Sequence, residues 1–437
     1  MPQQSAPAKA IQILSAFAVL MCLSSASSAA ICLAKTDLPA ISGTVVTVAN
    51  ATELASAVSN LQDYTTILLK PGNYNLTNTL YIRKRDVSIR GDGTNCEQVA
   101  LIGGGMDNAS YGNVPHGIWS DAANLTITNL TIRDVYQHGI VFNAGAQSPI
   151  VNSVRILNTG QQLIKSNPTQ YGIGVDNGTV INSYFAYTNG TPTTDHGSGI
   201  GYTNGIDIHA GKNWKIAGNR FESFHTPDSS AWWWNPAILV WNGASGTIVE
   251  NNIFSNVDRA IAFGLMERSG SYDHQGGIIR NNMAYYAPGL FSSTRIADSD
   301  AAFIIWNSPG SAVIHNTILT NGNLNKSIEF RFSTTTSGQA ISNLADTAIG
   351  SRNAAVFNQS NNLTSATSAM FKSPATADLR LLSTATSAIN KTSINDLAPT
   401  DIDGNARSGM GTVDIGAHEY GAASPPNPPA NVQGSQI

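Results

Sequence analysis

Charge is scarce in this chain: 12% of its 437 residues are Asp, Glu, Lys or Arg. Against that background LIKSN and NGIDIHAG stand out, because each sets polar side chains two residues apart behind an isoleucine. Residues i and i+2 of a strand share a face, so Lys165 goes with Asn167 and Asp207 with His209. With Ile164 and Ile206 at equivalent places on adjacent parallel strands, the two pairs lie about 4.8 Å apart. They then form one polar patch, with Asn143 below and Trp241 above. Such a patch can neutralise an anion and move a proton. Lys165 is a base if desolvation or nearby cations lower its pKa, but Asp207 beside it raises that pKa. This favours a charge-pairing Lys165 and makes His209 the competing base. Asn143 and Asn167 can bind a carboxylate, and Tyr202, His196 or His225 can supply a proton. The plain alternative is a solvated ion pair worth under about 1 kcal/mol.

What would hold these residues in register is a repeat. Apolar segments ending in Gly or Asn recur as GIWSDAANLTITNL, GIVFNAGAQSPIVNS, GIDIHAGKNWKIAGN, AILVWNGASGTIVENN and AFIIWNSPGSAVIHN. Ile118 to Ile140 is 22 residues, Ile140 to Ile164 is 24 and Ile238 to Ile261 is 23, while a loop lengthens Ile206 to Ile238 to 32. A period of this size means stacked units, each long enough for one coil of three short strands. Taking these isoleucines as inward, the outward column reads Trp119, Val141, Lys165, Asp207, Leu239, Ala262 and Glu329. Two residues on, it reads Asp121, Asn143, Asn167, His209, Trp241, Gly264 and Arg331. Asn129, Asn152, Asn182, Asn219, Asn252, Asn282 and Asn316 recur late in the unit, where Asn tolerates left-handed turns and can bond to the Asn stacked above and below.

Two insertions flank the patch. Residues 186–204 carry Asp195, His196 and Tyr202, and residues 222–236 carry His225 with Trp232, Trp233 and Trp234. Flat rings stack on the apolar faces of sugars, so Trp233, Trp241 and Trp119 are candidate substrate contacts; the alternative for the Trp triplet is a seal where a loop folds back. Trp214 in GKNWKI reads as structural.

The stacked coils, the Asn ladder and the opening TELASAVSNLQDYTTILLKPGNY resemble the pectin-lyase-like superfamily. The fold this implies is all-β, a right-handed single-stranded parallel β-helix over residues 42–420, with a capping helix at residues 52–62. The closing DIDGNARSGMGTVDIGAHEY is similar to the C-terminal segment that follows many secreted bacterial β-helices. The superfamily spans lyases, hydrolases, epimerases and binding proteins. The expected activity is that of a polysaccharide lyase acting on an acidic, uronate-containing polymer by β-elimination, with Lys165, Asp207, His209, Tyr202 and His196 as catalytic residues. Asn143, Asn167, Lys212, His225, Trp233, Trp241 and Trp119 are the expected substrate contacts. Two rival readings stand beside this, a glycoside hydrolase and a non-catalytic glycan-binding or adhesion protein. YTNGIDIHAGKNWKI resembles the polygalacturonase strand whose first catalytic Asp maps onto Asp207, but the family's adjacent Asp pair and its Gly-His-Gly and Arg-Ile-Lys elements have no match. In alginate and chondroitin lyases of this fold a Lys and an Arg lie on successive coils below a Glu-x-Glu pair. Lys212 stands near the first position, Val240 or Trp241 where the Arg would be and Asp207 where a Glu would be.

The ends of the chain place it in the cell. Lys9, the run IQILSAFAVLMCL and the small residues to Ala30 form an export signal over residues 1–30, so a secreted protein, extracellular or periplasmic, is expected. No later run is long enough for a membrane span. Cys32 and Cys96 then remain, either paired or as two buried thiols. Residues 421–437 form a Pro-rich tail. Net charge is −4 with no basic run, which excludes a nucleic-acid partner on electrostatic grounds. A monomer is expected. Calcium is a possible cofactor at Asp207, although one carboxylate is a thin ligand set. Asp401, Asp403, Asp414 and Glu419 miss the spacing of a calcium loop and read as a capping network with Arg407.

Overall fold

The structure, a computed structural model, describes residues 32, 38–111, 114–230, 232–407 and 411–422. The expected export signal and nearly all of the Pro-rich tail lie outside these residues. Among the described residues, no helix is long and apolar enough to cross a membrane.

The chain winds as a right-handed parallel β-helix. One ten-stranded sheet contains, in chain order, Leu80–Ile82, His116–Ser120, His138–Phe142, Ile164–Ser166, Ile206–His209, Pro236–Trp241, Arg259–Phe263, Ala301–Trp306, Lys326–Arg331 and Ile349–Arg352. Each strand pairs in parallel with that of the next coil, and connections between parallel strands take the right-handed sense. The rest of each coil runs through a twenty-stranded sheet: after Ile164–Ser166 come Thr179–Ile181 and Tyr184–Ala186 before the chain returns to Ile206–His209.

Isoleucine spacing sets the register because inward side chains stack on their own kind. Ile118, Ile140, Ile164, Ile206, Ile238, Ile261, Phe303 and Ile328 follow one another strand by strand, all fully buried. Phe185, Phe221 and Phe254 stack in the same way with centroids 4.9 and 5.0 Å apart. Fully burying one such side chain contributes roughly 1.5–3 kcal/mol.

The asparagines divide into two adjacent positions, a distinction the sequence reading merged. Asn219, Asn252, Asn282, Asn316, Asn343 and Asn362 form the ladder: the side-chain amide of each donates to the next Oδ1 at 3.0 Å. The left-handed residue is the one before, as at Asn251, Asn281, His315 and Ser342. In the coil of Asn182 the roles fall on Asn182, which is left-handed, and Ser183, which takes the ladder place.

The helix Ala51–Ser59 caps the first coil. Asn50 Oδ1 accepts from Glu53 N at 2.9 Å while Glu53 accepts from Ala49 N and Asn50 Nδ2, a reciprocal cap. It stops short of residue 62 because Asn60 leaves helical geometry. Cys32 and Cys96 are joined as a disulfide, tying the chain ahead of the first strand to an early coil. Towards the other end, Met370, Phe371, Leu379, Leu381 and Ile415 cover the outward side chains Ile253, Met283, Leu319 and Leu344. Arg407 fastens this segment through Glu419, Asn281 Oδ1 at 3.1 Å and Gly416 O at 2.9 Å.

Candidate functional site

On the ten-stranded sheet Lys165 lies opposite Asp207, and His209 opposite Trp241. Lys165 Nζ donates to Asp207 Oδ2 and lies 2.7 Å from His209 Nε2, which is 3.4 Å from the same carboxylate oxygen. Trp241 Nε1 donates to Asp207 Oδ1 at 3.0 Å, and its ring centroid is 4.5 Å from that of His209. Although Asp207 points outward, these neighbours leave it 1% exposed, while the Lys165 and His209 side chains keep 16% each. The carboxylate is therefore internal to the cluster, and the nitrogens form its solvent edge.

Burial alone would raise the pKa of Asp207, but the charge of Lys165 and, at the acid pH where this carboxyl titrates, that of a protonated His209 more than reverse it and hold the carboxyl well below its ordinary range. Tyr202 responds in the opposite sense: burial, reinforced by the charge of Asp207, pushes its phenol up to about 12. Tyr202 thus keeps its proton near neutral pH while Asp207 gives its proton up.

The two insertions meet beside Tyr202. Gly201 has no room for a side chain, since a Cβ there would come 2.5 Å from Pro227. Asp107 Oδ1 fixes the first loop by accepting from Thr193 N and Thr194 N at 2.8 and 2.7 Å. The second is fixed by Asp258, which accepts from Thr226 and Asn235 and pairs with Arg295. Elsewhere on the face Tyr171 reaches up the stack to Tyr272 O, with the Arg268 guanidinium 5.0 Å from its ring.

Not every expected residue joins the cluster. Asn167 Nδ2 donates to Asn143 Oδ1 at 3.0 Å, so these two form a ladder pair alongside it, and the buried Asn143 Nδ2 has no partner among the described residues. Trp119 is two strands below Lys165 in the same column and packs on Tyr81 and Arg83. His196 lies edge-on to Tyr136 at 4.5 Å, on the loop fixed by Asp107. Lys212 occupies the turn after His209, where its N donates to Asp176, and no hydrogen bond or ion pair joins it to the cluster among the described residues. The tryptophans separate: Trp232 is 63% exposed, Trp233 donates to Asp228 O, and Trp234 is buried on Phe291. His225 also faces Phe291, at 6.2 Å. The triplet is mainly the seal of a folded-back loop, and Trp214 is likewise internal, donating to Val175 O at 2.7 Å.

A neighbouring column escaped the sequence reading. His116, His138, Gln162 and Asn204 each lie two residues before the inward isoleucine, which strict alternation assigns to the interior. The chain turns there instead. Leu163 and Ile164, like Ala237 and Ile238, are both core, and a Cβ at Gly139 would strike Ile156. His138 consequently flanks the cluster; burial, with the charges of His116 and Lys165, depresses its pKa to about 3 and keeps it neutral. The repeated HGI at residues 116–118 and 138–140 was the available signal.

Neither candidate calcium site fits the ion. Both Asp207 oxygens are already engaged, by Lys165 and Trp241. Asp401, Asp403 and His418 come within 4.8 Å of one another, but Asp401 accepts from Asp403 N, Asn405 N and Glu419 N, and Asp403 is gripped by Arg380 at 2.6 and 2.7 Å.

A parallel β-helix whose broad face carries a Lys–Asp–His cluster, with two insertions that meet at Gly201 and Pro227, is the class of protein defined so far. Among solved structures it is similar to a pectate lyase (14% identity, 88% of this chain and 98% of that one, TM-score 0.48). An alginate lyase from Paenibacillus sp. str. FPU-7 is matched at 15% identity, over 73% and 99% of the two chains, with a TM-score of 0.45. A surface adhesin of Streptococcus pneumoniae is matched at 14%, over 72% and 88%, with a TM-score of 0.39. No family model and no curated protein sequence matches the chain. At these identities the likeness concerns the course of the chain, and the reaction has to be read from its own residues.

Proposed function

We propose that this chain is an exported, monomeric enzyme that cleaves an acidic, uronate-containing polysaccharide by β-elimination. The observation that carries the reading is the division of labour in the cluster: a buried, ionised Asp207 anchors Lys165, while Lys165 and His209 keep the solvent-facing edge. Elimination breaks the C5–H and C4–O bonds and forms a C4–C5 double bond. It needs a cation for the uronate carboxylate, a base for the C5 proton and an acid for the leaving oxygen.

Lys165 Nζ takes the first role, facing the carboxylate and the negative charge that develops as C5 loses its proton. An arriving carboxylate competes for the Lys165 proton directed at His209 Nε2, and so frees that lone pair to accept the C5 proton. Tyr202 keeps its proton for the leaving oxygen because its pKa is high. Asn167, held by Asn143 Oδ1 through one amide hydrogen, offers its second amide hydrogen beside the same carboxylate, and exchange with solvent afterwards resets His209 and Tyr202. Hydrolysis is served less well. It calls for a carboxylic acid of raised pKa and a second carboxyl about 5–9.5 Å away, whereas Asp207 is displaced the other way and has both oxygens occupied.

The test is incubation with alginate, polygalacturonate, chondroitin and glucuronan, following ultraviolet absorbance of unsaturated ends together with reducing ends. The reading expects both signals to rise on at least one acidic polymer. Reducing ends without absorbance mean hydrolysis, and binding with neither signal means an adhesin.

A further inference from the structure

Four strands above Asp207 the same outward face carries a second charged group. The register runs Asp207, Leu239, Ala262, Ile304, Glu329, four spacings of about 4.8 Å or roughly 19 Å. Here the carboxylates lie beneath and the cations on top. Glu329 is fully buried, accepting from Lys326 Nζ, Arg352 and Trp306 Nε1 at 2.8, 2.8 and 3.1 Å, and Asp300 is buried against Arg259. Arg259, Arg331 and Arg352 surround the Trp306 ring at 5.0, 4.4 and 5.6 Å.

A shielding role for buried carboxylates accounts for Lys326, Arg259 and Arg352. It leaves Arg331 over. Arg331 forms no ion pair among the described residues, and its single side-chain hydrogen bond there is from Nε to Asn353 Oδ1 at 3.0 Å. Burial, Arg352 and Arg259 work against its charged form and outweigh the favourable charges of Glu329 and Asp300, so a fourth cation is held here at a cost. Its position is fixed by stacking on Trp306 and on Phe332 at 4.6 Å, which leaves both terminal nitrogens of the guanidinium available. Arg331 also stands in the column of His209, Trp241 and Trp306, along which a polymer lying parallel to the helix axis would run.

We propose that Arg331, stacked on Trp306, is a remote anchor for a uronate carboxylate on the same polymer whose cleavage is assigned to Lys165 and His209, a role that rests on that reading. A planar guanidinium takes a carboxylate through two parallel hydrogen bonds, and the separation suits a chain several sugars long rather than a disaccharide.

Affinity electrophoresis in gels containing polygalacturonate or alginate tests this in the uncleaving His209→Ala background. The expected result is retardation that Arg331→Ala weakens about tenfold in apparent affinity, with the remaining difference shrinking as salt is added. Trisaccharides, too short to span the distance, should bind both forms equally, while octasaccharides should lose affinity. Arg331→Gln keeps a donor for Asn353 without the charge, so it reproduces the loss if charge is the cause and shows no loss if Ala had only disturbed packing; the latter overturns the proposal. Equal retardation of all forms, or none of any, also overturns it. Unsaturated product from the His209-intact protein with equal retardation removes the anchor and keeps the lyase; weakened retardation without such product removes the lyase and keeps the anchor.

Discussion

Lys165–Asp207 and Arg295–Asp258 are both cation–carboxylate pairs with the carboxylate 1% exposed, and their surroundings set them to different work. Asp258 also accepts from Thr226 N, Thr226 Oγ1 and Asn235 N, and Arg295 is itself 1% exposed beneath Trp234 and Phe291. That pair is sealed, and it pins the 222–236 loop to the helix Ser293–Asp298. Burial dominates at Asp258 and raises its pKa despite Arg295, whereas at Asp207 the charges of Lys165 and His209 overcome burial. Buried charge alone therefore does not mark a reactive site. What distinguishes the Lys165 cluster is a reachable cation beside a titratable ring.

The comparison can be broken most sharply at His209. His209→Ala should lower kcat by about 10³-fold while the melting temperature barely moves, as read from initial rates of unsaturated product and thermal unfolding. Arg295→Ala should do the reverse, costing about 3–5 kcal/mol in urea unfolding because Asp258 is left buried and unpaired; a stability within about 0.5 kcal/mol of wild type would contradict the assigned role. Tyr202→Phe should reduce kcat by about 10²-fold with KM little changed, since only the transferred proton is lost.

A third pair, Arg407–Glu419, sharpens the contrast with the smallest effect. Burial, reinforced by Asp414 and opposed by Arg407, raises Glu419 from 4.5 to about 7. A raised folded-state pKa contributes stability that is present below the unfolded value and lost as pH rises. The C-terminal segment should therefore weaken between about pH 4.5 and 7, and Glu419→Gln should flatten that slope in melts across the range. Asp207, depressed instead, contributes above 3.8 and loses its effect only as pH falls below that value.

The coil, its register and the pairing of Lys165 with Asp207 were legible because identical inward positions repeat at 22 to 24 residues and side chains alternate along a strand. The same rule hid His138, since the chain turns one residue before Ile140 and the alternation breaks where Gly139 presses on Ile156. The separate fates of Trp232, Trp233 and Trp234 were not legible either. They depend on Phe291 and Asp298, some sixty residues away, through contacts no local pattern encodes. Asp207 shows the same limit: its column was evident, but its burial comes from Trp241 on the next coil leaning back over it.

The most direct test of the central claim is the rate at which Lys165→Ala and His209→Ala form unsaturated ends, compared with the wild-type protein on the same acidic polymers, with folding verified for each. The account predicts that both fall by at least about 10²-fold. Full activity in both variants would contradict it and place the reaction elsewhere on the molecule.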